Sequence, residues 1–168
     1  MANTIDDFDL GMKFVFGAEG APSDNPVTDP YGGLTRFGIS QTQNPTVDVA
    51  NITQAEAVQW YKDTIWLANS CDKMPWPINI IVFDGEVNQG PSAANELLQS
   101  ALGIGVDGIV GTETLDALQA VSDISDLAAR ILAKRAVSYT ADDTWQYNGE
   151  GWMYRLMRLA IYSSTTSG

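Results

Sequence analysis

Histidine is missing altogether from the 168 residues, and there is a single cysteine, Cys71. The first absence removes Ser-His and Cys-His nucleophilic catalysis, because a hydroxyl or thiol then has no imidazole to take its proton. It also argues against a zinc hydrolase, whose site is nearly always built on imidazole. One cysteine cannot close an intrachain disulfide, so stability rests on the core, and Cys71 reads as a packed thiol. Basic residues are scarce: nine Lys and Arg stand against 21 Asp and Glu, a net charge of −12. Such a chain lacks the basic surface that a nucleic-acid binder uses to release counterions, and it would be repelled by an anionic membrane. Every uncharged apolar run falls short of the roughly 20 residues that span a bilayer, so no membrane insertion is expected. The N-terminal stretch, Met1 to Asp9, has neither a basic region nor a long apolar segment, so no signal peptide is expected. An enzyme made in the cytoplasm and acting outside it would need another means of delivery.

What is present is a globular composition, 45% hydrophobic with a mean hydropathy of −0.09. At this length a single domain is the default. Apolar residues from Ile5 to Phe16 fall on one face of a helix over about residues 5–18, with Asp6, Asp7 and Asp9 favourable in its first turn. The stretch from Gly17 to Gly38, rich in Gly, Pro, Asp and Asn, predicts turns and at most a short hairpin. Thr53 followed by Glu56 is a capping box opening a helix that runs through Trp66. Met74-Pro75-Trp76-Pro77 breaks the pattern, and Ile78 to Val87 predicts a buried helix with Asp84 and Asn88 one turn apart. Further helices are expected from Ser92 to Leu102, from a Thr112 cap to Leu118, from Ile124 to Thr140 and from Gly151 to Tyr162. Residues 163–168 are expected to form a flexible tail. The fold class is therefore mainly α: a single domain with a short turn or hairpin region after the first helix.

Two carboxyls stand out in the early turn region. Glycoside hydrolysis needs one protonated carboxyl to donate to the leaving oxygen and a second carboxylate to position water or stabilise positive charge. The acid works near neutral pH only where apolar surroundings raise its pKa. Glu19 emerges from the most apolar part of the first helix, whereas Asp29 sits in a polar Thr-Asp-Pro-Tyr-Gly-Gly turn. The same two residues could equally be parts of a capped turn, since a Glu and an Asp at this spacing are common. Gly32, Gly33 and Gly38 read as turn glycines or as points where backbone approaches a sugar. Tyr31 and Trp76, beside Gly or Pro in turns, are candidates for stacking on sugar rings, while Trp60, Trp66 and Trp152 read as core. Asp84 and Asn88 either face a cleft or hydrogen-bond a neighbouring turn. Asp107-Gly108 reads as a turn. Arg130, Lys134, Arg135, Arg155 and Arg158 read as solvated helix faces with pairs such as Asp126 to Arg130, or as a small positive patch for substrate carboxylates.

Glu19, nine intervening residues, Asp29, five more and then Thr35 is similar to the spacing of glutamate, aspartate and threonine in phage-type lysozymes. More closely, the chain resembles glycoside hydrolase family 108, the N-acetylmuramidases. The matching segments are Glu19-Gly20-Ala21, Asp29 to Ile39, Ile52 to Ala57, Phe83 to Pro91, Val106 to Gly111 and Gly151 to Arg155, in the family's order. Two departures are visible: Ala21-Pro22 replaces a glycine and an aromatic, and Tyr31 is inserted in the Asp-Pro-Gly-Gly turn.

The resemblance implies a lysozyme-like fold and a muramidase acting on the peptidoglycan glycan strand, with Glu19 as general acid and Asp29 and Thr35 assisting. From the residues themselves the candidate substrate-binding set is Tyr31, Gly32, Gly33, Trp76, Asp84 and Asn88, and no metal or organic cofactor is expected. The resemblance also implies a catalytic half over about residues 5–76 and a helical peptidoglycan-binding half over about residues 77–162. A monomer is expected, released through a holin pore if it is a phage endolysin and acting on the cell wall. Two other readings stand beside this one. The acidic surface would suit a chitosanase-like hydrolase on a cationic glycan, and a non-catalytic cell-wall-binding protein could keep the same fold.

Overall fold

The computed structural model of the protein describes residues 6–18, 27–29 and 33–166. In chain order its elements begin with helix α1 (Asp7–Ala18) and the strands β1 (Val27–Asp29), β2 (Gly33–Arg36) and β3 (Ile39–Ser40). Helices α2 (Gln54–Tyr61), α3 (Ile78–Gln89), α4 (Pro91–Leu102), α5 (Thr112–Gln119), α6 (Ile124–Thr140) and α7 (Trp145–Thr165) follow. A π-helical turn, Lys62–Leu67, continues α2, and a 3-10 turn, Cys71–Lys73, precedes α3. The class is mainly α, as expected, with one small antiparallel sheet in the order β1-β2-β3.

The apolar run beginning at Ile78 becomes the centre of the molecule. Ile78, Ile80, Ile81, Val82 and Phe83 are all buried, so α3 is largely apolar and enclosed on every side, packing against α1, α4, α6 and α7. A helix of that kind is stable only inside a protein. Gly11 of α1 lies against the Phe83 ring, with room for little more than a hydrogen. Phe8, Trp66 and Phe83 pack with their rings steeply inclined, and Tyr61 meets Phe83 edge-on. The helices before and after residue 77 therefore pack on one shared core around α3.

Local chemistry explains where several elements start. The Asp6 carboxylate accepts the Asp9 amide at 2.8 Å and caps α1. Thr53 and Glu56 form the expected capping box, which holds the Glu56 carboxyl below its usual pKa through the Thr53 backbone amide and hydroxyl. The sheet pairs Asp29 with Gly33 and Val27 with Thr35, then Thr35 with Ser40 and Arg36 with Ile39. The tight turn between β2 and β3 is Phe37-Gly38, at φ 51° and 80°. Positive φ at both central residues matches the twist of a hairpin. For a phenylalanine that conformation is strained, and two contacts hold it. The Phe37 ring is buried, and its carbonyl accepts the Tyr61 hydroxyl at 3.1 Å. Gly38 has to be glycine for a second reason, because a Cβ there would lie 2.6 Å from the Tyr61 hydroxyl.

The structure differs from expectation in four places. Thr112 begins α5 rather than capping it; Gly111 occupies the cap position and makes no side-chain bond. Helix α7 begins at Trp145 rather than at Gly151, because Gly149 packs against the Trp145 indole instead of ending the helix. It also continues through Thr165, so Ser163 to Thr165, expected in a flexible tail, are helical; the Ser163 carbonyl accepts the Trp76 indole N–H at 3.1 Å. Finally, Arg135 and Arg155 are not on solvated faces. Both are buried and share the Asp84 carboxylate, Arg135 at 2.7 Å on Oδ2 and Arg155 at 2.7 Å on Oδ1. The expected Asp126–Arg130 pair is present on the surface at 2.9 Å.

Candidate active site

The β2–β3 turn, the π-helical turn and the C-terminal end of α3 surround an open groove of about 670 Å³. Gly38 and Asn44 form one wall, Trp60, Tyr61 and Thr64 the next, and Glu86, Asn88 and Gln89 the third. The widened backbone of a π turn presents side chains at angles an α-helix cannot, and such turns are frequent at functional sites. Helix α1 reaches the same region. Phe16, two residues before its end, packs edge-on against Tyr61 at 6.2 Å.

Glu19, which follows the last residue of α1 in sequence, lies outside the described residues, as do Tyr31 and Gly32. Asp29 is placed by its backbone, at the end of β1 opposite Gly33, which has φ 70°. Thr35 lies in the centre of β2, half-buried and paired with both neighbouring strands. Asn88 lines the groove, and its amide oxygen accepts the Tyr139 hydroxyl and an Arg135 N–H at 3.2 Å.

Two residues expected to bind substrate are elsewhere. Asp84 is 1% exposed, and both its oxygens are taken by the buried arginines of α6 and α7, so it has no face for a ligand. It is a clamp holding α6 and α7 on α3, which is the other role open to it from the sequence. Trp76 is half-buried beside Pro77 in a separate groove, of about 600 Å³, bordered by Ala128, Leu132 and Ser163. It is turned there by its indole bond to the Ser163 carbonyl.

Several groove residues went unrecognised in the sequence. Trp60, expected in the core, is half-buried at the groove wall. Glu86 is the more consequential. It is 2% exposed, and among the described residues the only hydrogen bond to its carboxyl is donated by the Cys71 thiol to Oε2 at 3.5 Å. Its Oε1 has no partner among the described residues. Burial pushes the Glu86 pKa from its usual 4.5 up to about 8, so the group is protonated at neutral pH. Burial first, and then the neighbouring Glu86, push the Cys71 thiol well above its usual value, which makes it a poor nucleophile and fits a packed thiol. The signal that could have marked Glu86 was an acid standing inside an otherwise apolar run. Gln89 could not have been singled out. Its amide N–H donates to the Ser138 hydroxyl at 3.0 Å, and its Oε1 is buried without a partner among the described residues.

A mainly helical scaffold with a small hairpin after its first helix, and an open groove between hairpin and helices, is a lysozyme-like architecture. The Glycosyl hydrolase 108 family model matches residues 12–90, a similarity that supports a glycosidase acting on peptidoglycan. Among solved structures, that of Brucella abortus SagA is similar at 25% identity and a TM-score of 0.80, over 95% of this chain and 97% of that one. No curated protein matches the chain.

Proposed function

We propose that the protein is an N-acetylmuramidase of the endolysin type. It hydrolyses the bond between N-acetylmuramic acid and N-acetylglucosamine in bacterial peptidoglycan. Glu19 protonates the glycosidic oxygen, and Asp29 with Thr35 stabilises developing positive charge or orients water. The observation that carries this reading is the family match over residues 12–90, a stretch that includes Glu19, the Asp29 strand and the Thr35 strand. The local chemistry is consistent with it. Phe14 and Val15, in the apolar stretch that precedes Glu19 in the sequence, are buried in α1. The Asp29 backbone pairs with Gly33 at the end of β1. In this reading the helices after residue 77 form the wall-binding half, and the enzyme acts as a monomer on the cell wall after release through a membrane pore.

The test is Glu19→Gln on a peptidoglycan zymogram beside a chitosan zymogram. Loss of a general acid should lower peptidoglycan clearing by at least about 10²-fold while binding to cell walls in a pull-down persists. A variant that clears as well as the unsubstituted protein, or an unsubstituted protein that clears chitosan alone, would overturn the proposal.

A further inference from the structure

The groove wall formed by the last turn of α3 carries two polar atoms with nothing to bond. Glu86 Oε1 and Gln89 Oε1 are both buried and without a partner among the described residues, three positions apart on one helix face. Buried polar atoms are nearly always paired, so two orphans on one wall are a departure that asks for a ligand. Their chemistry is complementary. The Cys71 thiol donates to Glu86 Oε2, so a proton carried by this carboxyl belongs on Oε1 and makes that atom a donor. Among the described residues no basic side chain lines the groove to draw the proton off, and the C-terminal end of a helix disfavours a negative charge. Gln89 Oε1 is an acceptor. The Ser138 hydroxyl donates to the Arg135 carbonyl and so can only accept from Gln89, which fixes that amide with its N–H toward Ser138 and its oxygen away.

We propose that Glu86 and Gln89 together recognise a secondary amide of the bound substrate, Glu86 Oε1–H donating to the amide oxygen and Gln89 Oε1 accepting the amide N–H. The inference rests on the glycan-hydrolase reading of this groove. The ligand group is the acetamido substituent of an N-acetylated sugar or the first peptide bond of a wall-linked stem, which share this chemistry. Both atoms are closed over in the free protein. The carboxyl is held by a thiol alone, a weak donor, and the terminal torsions of Glu and Gln are broad, so both groups can turn to meet a ligand.

The experiment measures binding of three probes by titration calorimetry: an N-acetylglucosamine oligomer, the matching glucosamine oligomer, and a peptide-bearing muropeptide. It compares the unsubstituted protein with Glu86→Met, which keeps the volume and loses the donor, and with Glu86→Gln, which keeps a neutral N–H donor. Glu86→Met should bind the N-acetylated oligomer about tenfold more weakly, the loss of one neutral hydrogen bond, with the glucosamine oligomer unaffected. Glu86→Gln should restore the preference for the acetylated probe. A loss confined to the muropeptide assigns the amide to the peptide and supports the proposal with that source. Equal changes on all probes, or none, would overturn it while leaving the hydrolase reading intact if Glu19→Gln is inactive. Absence of both wall lysis and glycan binding in the unsubstituted protein would overturn both.

Discussion

Glu86 makes the protein's stability depend on pH in an uncommon direction for a carboxyl. Its pKa is near 4.5 when exposed and about 8 in the fold. Between those values the folded state holds a proton that the unfolded chain has released, so stability is full below about pH 4.5 and falls as pH rises toward 8. Glu86→Gln is neutral at every pH and lacks this slope. The variant should therefore gain on the unsubstituted protein in thermal melts between pH 5 and pH 8, by an amount on the order of a few kcal/mol or less. Parallel melting curves across that range would show that the carboxyl is ionised or hydrated in the fold. Its tie to Cys71 adds little restraint, because a thiol is a weak donor.

Among the helices, the decisive contact is the carboxylate of α3 that holds one arginine from α6 and one from α7. Asp84, Arg135 and Arg155 are all buried, and Arg135 also donates to the Tyr139 hydroxyl at 3.0 Å while Tyr139 stacks on Trp152. Removing one partner of such a group leaves uncompensated buried charge. Asp84→Asn should cost about 3–5 kcal/mol in urea unfolding, and amide exchange should rise in α6 and α7 before it rises in α1. An unchanged midpoint would mean that the arginines find water or other acceptors. The cap on α2 is a smaller matter. Thr53→Ala removes the hydroxyl that accepts the Glu56 amide and should cost about 1 kcal/mol by the same measurement. These two contacts differ in how readable they are. The capping box is local, and Thr53 and Glu56 three apart announce it. The Asp84 clamp joins residues 51 and 71 positions apart, and nothing near Arg135 or Arg155 distinguishes them from surface cations. For the same reason α6 was legible from end to end, whereas the start of α7 was hidden by Gly149 and Gly151 until the Trp145 ring gave the first of them a packing partner.

At the scale of the whole molecule, the mainly helical class and the central helix were legible because an apolar run such as Ile78 to Phe83 admits few alternatives in water. The groove was less so. Its walls come from three separate stretches, and Trp60, Glu86 and Gln89 meet there only through the packing of α2 and its π turn against α3. Trp76 lies away from this groove, a placement not legible locally because its indole N–H finds its acceptor in the Ser163 carbonyl far along the chain. The candidate acid Glu19 was singled out by chemistry and resemblance together. Its neighbours Phe14 and Val15 are buried, and Phe16 touches the groove residue Tyr61.

The central claim is that this protein cleaves peptidoglycan at muramic acid with Glu19 as the acid. Purified peptidoglycan digested with the protein, and in parallel with Glu19→Gln, can be read by mass spectrometry for the sugar at the new reducing end. The account predicts fragments ending in reducing N-acetylmuramic acid from the unsubstituted protein and at least about 10²-fold fewer from the variant. Fragments ending in reducing N-acetylglucosamine, or equal digestion by the two proteins, would contradict it.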